Sequence, residues 1–295
     1  MRKILLTGAS GQLGWELQRT LQTLGHVVAP DSAEFNLAKP DQLTSYIRRL
    51  KPDLIVNPAA YTAVDKAESE PALAHAINAE APAVLAREAA RMGISLVHFS
   101  TDYVFDGSKQ TAYQENDAPN PLGVYGASKL SGEQAVQASD TEHLILRTSW
   151  VYGLRGRNFL LTMQRLARER AELAVVNDQI GAPTWSRSIA EASAQILALW
   201  LSPGTTHENR QQLSGVYHLS CTGKTSWHGF AYAILENLRR NEDGIASLKA
   251  ITTRAYPAPA RRPQNSMLSN EKLRRVFGVQ LPDWESALSL CLGES

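Results

Sequence analysis

The sequence predicts an α/β fold, a doubly wound parallel sheet carrying a smaller C-terminal α/β lobe. Three observations predict it. Short apolar, β-branched runs alternate with longer segments of helical period through the first half of the chain, the pattern that covers both faces of a parallel sheet with helices. A glycine-rich turn lies directly between the first of these runs and the first helical segment. After Gly153 the strict alternation loosens, which marks off a second region.

Taken in order, Ile4 to Thr7, His26 to Ala29, Leu54 to Asn57, Leu96 to Ser100 and Leu144 to Ser149 read as strands. Between the first two, Leu13, Leu17, Leu21 and Leu24 recur at helical spacing, and Gly25 follows where a helix usually stops. That makes one βαβ unit. The segment Ala72 to Met92 is alanine-rich and helical in period, and Pro82 must kink it or divide it in two. Beyond Gly153 the pattern predicts a helix near Phe159 to Ala171, a strand near Leu173 to Asn177 and a helix from Ser186 to Trp200. A polar stretch, Ser202 to Gln212, precedes a strand at Gly215 to Leu219. Residues 1–153 are expected to form most of the main domain and 154–295 most of the smaller lobe, with segments crossing back.

Thirty Lys and Arg against 29 Asp and Glu leave a formal net charge of +1, so no overall field draws the molecule onto nucleic acid or an acidic membrane. An anionic ligand must be held by local groups. Cys221 and Cys291 form no metal-ligand or CxxC spacing and read as small buried hydrophobes. Met1 to Gly8 holds too few apolar residues for a signal-peptide core, and no stretch approaches the roughly 20 apolar residues of a membrane span. A cytoplasmic protein is expected.

The run Thr7-Gly8-Ala9-Ser10-Gly11-Gln12-Leu13-Gly14 spaces three glycines as GxxGxxG and leads straight into the first helix. A dinucleotide pyrophosphate needs a turn without side-chain bulk, free backbone N–H groups and the positive end of a helix dipole, and a strand-turn-helix context offers all three. This is the Rossmann-type arrangement. Asp31, after the second strand, is placed to bond the ribose hydroxyls of NAD or to serve as a loop residue, which leaves NADH and NADPH both open.

Tyr125-Gly126-Ala127-Ser128-Lys129 puts a phenol and an ammonium four residues apart on one helix face. Thr101 ends the fourth predicted strand, where such a sheet delivers side chains to a cofactor. Reduction of a ketone needs a proton at the carbonyl oxygen. Tyr125 is the expected acid, with Lys129 lowering its pKa and binding the nicotinamide ribose, and Thr101 holding the substrate oxygen.

The glycine turn, the Tyr-x-x-x-Lys pair and Ser100-Thr101-Asp102-Tyr103-Val104-Phe105 together resemble the extended short-chain dehydrogenase/reductases. Within them the chain is most similar to the reductases that act on dTDP-4-dehydro-L-rhamnose. Thr62 to Glu68, Arg147 to Tyr152, Asn177 to Thr184 and Arg262 to Ser266 extend the similarity over nearly the whole chain. The resemblance implies NADPH or NADH as cofactor and a dTDP-sugar as substrate, with a product that feeds bacterial surface polysaccharide. It implies that Gly11, Gln12 and Leu13 touch the pyrophosphate, that Asn36 and Leu37 lie near the adenine, and that Ala59, Ala60 and Tyr61 lie beneath the cofactor. Thr101, Asp102 and Trp150 are implied to line the sugar site, although Trp150 also reads as a core tryptophan. Arg261 and Arg262 could supply cations to the nucleotide diphosphate or form a solvated basic loop. A homodimer bridged by magnesium is implied too, through Glu16, Glu294 and a third carboxylate near Glu191.

Other reactions remain open. Related nucleotide-sugar dehydratases carry Thr-Asp-Glu at the end of the fourth strand, and Tyr103 stands where that Glu would be, which ranks reduction above elimination. A reductase or epimerase of another nucleotide sugar is an alternative. So is a silent NAD(P)-binding regulatory subunit, against which the complete Thr101, Tyr125 and Lys129 set argues.

Overall fold

The computed structural model describes residues 1–293, so Glu294 lies outside them. Six strands form the central sheet: β1 Lys3–Leu6, β2 His26–Val28, β3 Leu54–Asn57, β4 Ser95–Thr101, β5 His143–Thr148, and the later strand Gly215–His218. Their order is Gly215–His218, β5, β4, β3, β1, β2, and every pairing is parallel. Between β1 and β3 the winding reverses direction, which opens a crevice at the carboxyl ends of those strands.

The strands read as continuous apolar runs because both faces are covered. All residues of β3 and of β4 are buried. Alternate side chains serve opposite layers. Ile4, Leu6, Val56, Val97, Phe99 and Leu146 pack with Leu17 and Ile196, which belong to the helices Gln12–Thr20 and Ser186–Trp200. On the other face Leu5, Ile55, Leu96 and Ile145 pack with Leu43, Leu85 and Val136, from the helices Pro40–Leu50, Ala81–Met92 and Val124–Gln137. Cys221 and Cys291 are both buried.

The structure refines several sequence expectations. Pro82 divides its segment without displacing it: Pro71–His75 runs through a π-type turn, Ala76–Glu80, into Ala81–Met92, with Pro82 in the new helix's first turn, where a missing N–H costs nothing. The polar stretch before Gly215 contains a short helix, His207–Leu213, started by a capping box between Thr206 and Asn209. The predicted strand near Leu173 is Glu172–Val176, and it pairs with Ser247–Ile251. Gly215–His218 carries the later part of the chain back into the main sheet. Among the described residues no helix is long and apolar enough to cross a membrane.

Candidate active site

At the crevice the structure opens a cleft of about 620 Å³. Its floor is the glycine turn. Gly8 sits at φ +59°, and a Cβ there would lie 2.8 Å from the Ala59 Cβ; a Cβ on Gly14 would lie 2.0 Å from the Gly8 oxygen. Those two glycines let the turn close on itself. Gly11 differs, because a Cβ there would meet only the Gly8 oxygen, at 3.3 Å, so its bareness leaves room above the turn. Gly11 caps the helix Gln12–Thr20 without a side-chain hydrogen bond, and the first turn has no acidic residue. Its N–H groups therefore lack intrahelical partners. The cradle fits a dinucleotide pyrophosphate in bulk, donors and dipole.

Gly8, Gly11, Gln12, Leu13 and Gly14 line the cleft with Ala59 and Ala60, and Thr101, Asp102, Tyr125, Lys129 and Trp150 form its inner part. The fold brings these predicted residues together from five separate segments. Others stand apart from the lining. The Asp31 carboxylate accepts the Ala33 and Glu34 N–H groups at 2.8 and 3.0 Å, bracing its own turn. The Asn36 side chain accepts the Ala38 N–H, and the Leu37 side chain is buried in the second core layer. The Tyr61 hydroxyl donates to Glu70. Arg262 donates to Asp65 at 2.8 Å, and with Arg261 it lines a second hollow of about 600 Å³. Glu16 accepts a hydrogen bond from Arg187 at 3.5 Å, and Glu191 is exposed. Among the described residues no group of three or more His, Cys, Asp or Glu could hold a metal ion, and Glu294, the second carboxylate of the implied magnesium bridge, lies outside them.

At the end of β4 the Thr101 hydroxyl donates to the Asp102 carboxylate at 3.0 Å and accepts the Tyr103 N–H at 3.1 Å. Asp102 is buried, and burial pushes its carboxyl up to about 6, against hydrogen bonds from Ser266, Ser149 and Thr101. The Tyr125 phenol hydrogen-bonds Thr101, and loss of solvent pushes it up to about 12. The sequence suggested a phenol acidified by Lys129. In the protein alone desolvation dominates instead, and the Lys129 ammonium is committed elsewhere, donating to the Phe99 carbonyl at 2.6 Å. Burial also pushes Lys129 down to about 8, with Glu133 opposing. A phenol that keeps its proton at neutral pH is the form a general acid requires.

Trp150 is no core residue. It lines the cleft with its backbone at φ +46°, a strained setting for an aromatic residue. Its indole stacks on Trp227 with centroids 3.6 Å apart and planes 6° apart, and Nε1 donates to the Ser266 hydroxyl at 3.1 Å. Sequence reasoning missed Trp227, for which no local pattern exists. It also missed Asn78, whose amide accepts the Tyr61 N–H and donates to the Tyr61 carbonyl and to Ser128. Asn78 lies in the π-type turn, so the clue was Pro82 four residues later, since such turns gather at functional sites. A third omission is the buried chain in which Thr7 donates to Asn57 and Asn57 donates to His98 Nδ1, with His98 Nε2 3.5 Å from Lys129. It joins the glycine turn to the lysine.

Comparison with known proteins gives the same reading. The family model described as RmlD substrate binding domain matches residues 1–295. A dTDP-4-dehydrorhamnose reductase of Burkholderia thailandensis is 50% identical, with 98% of each chain covered. The crystal structure of a dTDP-4-dehydrorhamnose reductase from Clostridium acetobutylicum superposes with a TM-score of 0.89 at 35% identity, covering 99% of each chain. That of the Bacillus anthracis reductase in complex with NADP superposes with a TM-score of 0.88 at 36% identity, covering 100% of this chain and 99% of its own. Matched along its whole length by the family model and by such relatives, the chain belongs to the dTDP-4-dehydrorhamnose reductase family.

Proposed function

We propose that the protein reduces the C4 keto group of dTDP-4-dehydro-L-rhamnose to give dTDP-L-rhamnose. The observation that carries this reading is the meeting of the glycine cradle with Thr101, Tyr125 and Lys129 in one cleft. When bound, a reduced nicotinamide dinucleotide supplies the hydride. Gly8, Gly11, Gln12, Leu13 and Gly14 hold its diphosphate, with Ala59 and Ala60 beneath, and the relative crystallised with NADP supports a cofactor of that kind. Lys129, on the helix face it shares with Tyr125, holds the nicotinamide ribose. Tyr125 keeps its proton through binding and gives it to the O4 oxygen as negative charge develops there. On substrate binding Thr101 turns its single hydroxyl proton from Asp102 to the same oxygen, beside the phenol. Asp102 and the stacked Trp150 and Trp227 pair form the sugar wall, which offers apolar surface with polar groups at its edge. Arg261 and Arg262 hold the nucleotide end in the adjoining hollow. Residues 154–295 thus act mainly as the substrate lobe. Burial and the neighbouring Asp102 raise the Tyr103 phenol far above neutral pH, which leaves it unfit as the base that an elimination needs.

The test is oxidation of NADPH and of NADH with dTDP-4-dehydro-L-rhamnose, followed by absorbance, for wild type and Tyr125→Phe. The variant is expected to lose about a hundredfold to ten-thousandfold in kcat while keeping its cofactor affinity. Wild type that binds cofactor but oxidises none would leave another nucleotide sugar, or a regulatory role, as the better reading.

A further inference from the structure

Among the described residues lining the cleft, two carry cations, Lys129 and Arg157. Lys129 is buried at the inner end on the Phe99 carbonyl. Arg157 is exposed and belongs to the connection 153–158, which is fastened to the first turn of the helix Gln12–Thr20 on both sides of it. Asn158 Nδ2 donates to Gln12 Oε1 at 3.2 Å and also to the carbonyls of Gly153 and Arg155, at 2.8 and 3.1 Å. Gln12 Nε2 donates to the Val151 carbonyl at 3.1 Å. The Arg155 guanidinium lies 3.5 Å from the centroid of the Trp15 ring. Gly156, at φ +72° and also in the lining, makes the bend that carries the chain past the glycine turn.

We propose that Arg157 is a diphosphate ligand, completing from this connection the pyrophosphate site that the glycine turn begins. The inference rests on the dinucleotide reading of the cleft. Helix N–H groups and a guanidinium suit the same anion, since the first supply fixed dipoles and the second a planar fork with full charge. Arg157 is flanked by residues that grip Gln12 and Trp15, which ties it to the cofactor's diphosphate and not to that of the sugar nucleotide. Arg155, with its guanidinium over Trp15, anchors the connection instead.

The proposal is tested by calorimetric titration of the full-length, substrate-free protein with ADP-ribose, 2′-phospho-ADP-ribose and dTDP, comparing wild type, Arg157→Gln and Arg157→Lys. Arg157→Gln is expected to weaken both ADP-ribose probes by the same factor, roughly tenfold, and to leave dTDP unchanged. Arg157→Lys is expected to fall between, keeping the charge without the fork. A loss confined to 2′-phospho-ADP-ribose would move Arg157 to a ribose phosphate and overturn the assignment. A loss confined to dTDP would move it to the substrate and overturn it equally, as would unchanged affinities throughout. If wild type itself bound neither ADP-ribose probe, the dinucleotide reading would fail, and this inference with it; a binding wild type beside an unaltered Arg157→Gln sinks the Arg157 role alone.

Discussion

Lys129 is buried between the strand that ends in Thr101 and the helix that bears Tyr125, and its ammonium meets the Phe99 carbonyl, with His98 Nε2 3.5 Å away and Glu133 in the neighbourhood. Burial favours its neutral form. Below pH 8 folded and unfolded chains both hold the proton, and the folded state carries the full burden of the buried charge. As pH rises from about 8 toward 10.5 the folded protein sheds the proton while the unfolded chain keeps it, so this burden lifts. Lys129→Met should therefore stabilise the protein at pH 7 by on the order of 2 kcal/mol, a few degrees in Tm, while abolishing reduction. The gain should shrink when the melts are repeated near pH 10, and a variant less stable than wild type at pH 7 would contradict the argument. Lys129 and Tyr125 were legible in the sequence because their relation is local, one turn apart on a helix. Asn78 was not, because its partners Tyr61 and Ser128 are 17 and 50 residues away, and no spacing rule reaches that far.

Elements carry Tyr125, the proposed acid, to its place by close contact. The helix Val124–Gln137 sits so near its neighbours that a Cβ on Gly126 would lie 2.2 Å from the Tyr103 carbonyl oxygen, and one on Gly132 would lie 2.1 Å from that of Asn78. Both obstacles are backbone and cannot swing aside. Gly132→Ala should push the helix off the π-type turn, costing about 1–3 kcal/mol and lowering kcat/KM by an order of magnitude or more as Tyr125 leaves Thr101. Urea unfolding and steady-state kinetics on the same preparation would check both; a variant of wild-type stability would mean that the turn yields freely. The strands were readable from sequence because two-sided burial makes them unbroken apolar runs. The division at Pro82 was readable as well, but not the turn it produces, which depends on the Asn78 amide finding Tyr61. The helix His207–Leu213 was hidden for the opposite reason. None of its residues is buried, so it has no apolar stripe to betray it, and its capping box is the remaining signal.

Across the whole molecule, the segment after the strand that ends in Thr101 and the later part of the chain meet at one hydroxyl. Ser266 accepts the Trp150 indole N–H and hydrogen-bonds the Asp102 carboxylate, while Ser149 donates to that carboxylate at 2.9 Å. Thr101, the proposed oxygen ligand, is held by Asp102 in the protein alone. Ser266→Ala would leave the indole N–H without its partner and release the Asp102 carboxylate from one of three hydroxyl donors. A lost hydrogen bond of this kind is worth about 0.5–1.5 kcal/mol, so KM for the sugar nucleotide should rise between about twofold and tenfold. Among the described residues the glycine turn shares no hydrogen-bond partner with Ser266, so the affinity for ADP-ribose should not change. Titrating both ligands against the variant separates the two ends of the site. If cofactor affinity fell in step with that for the sugar, the cleft would respond as one unit, and Ser266 would be bracing the fold rather than the sugar wall.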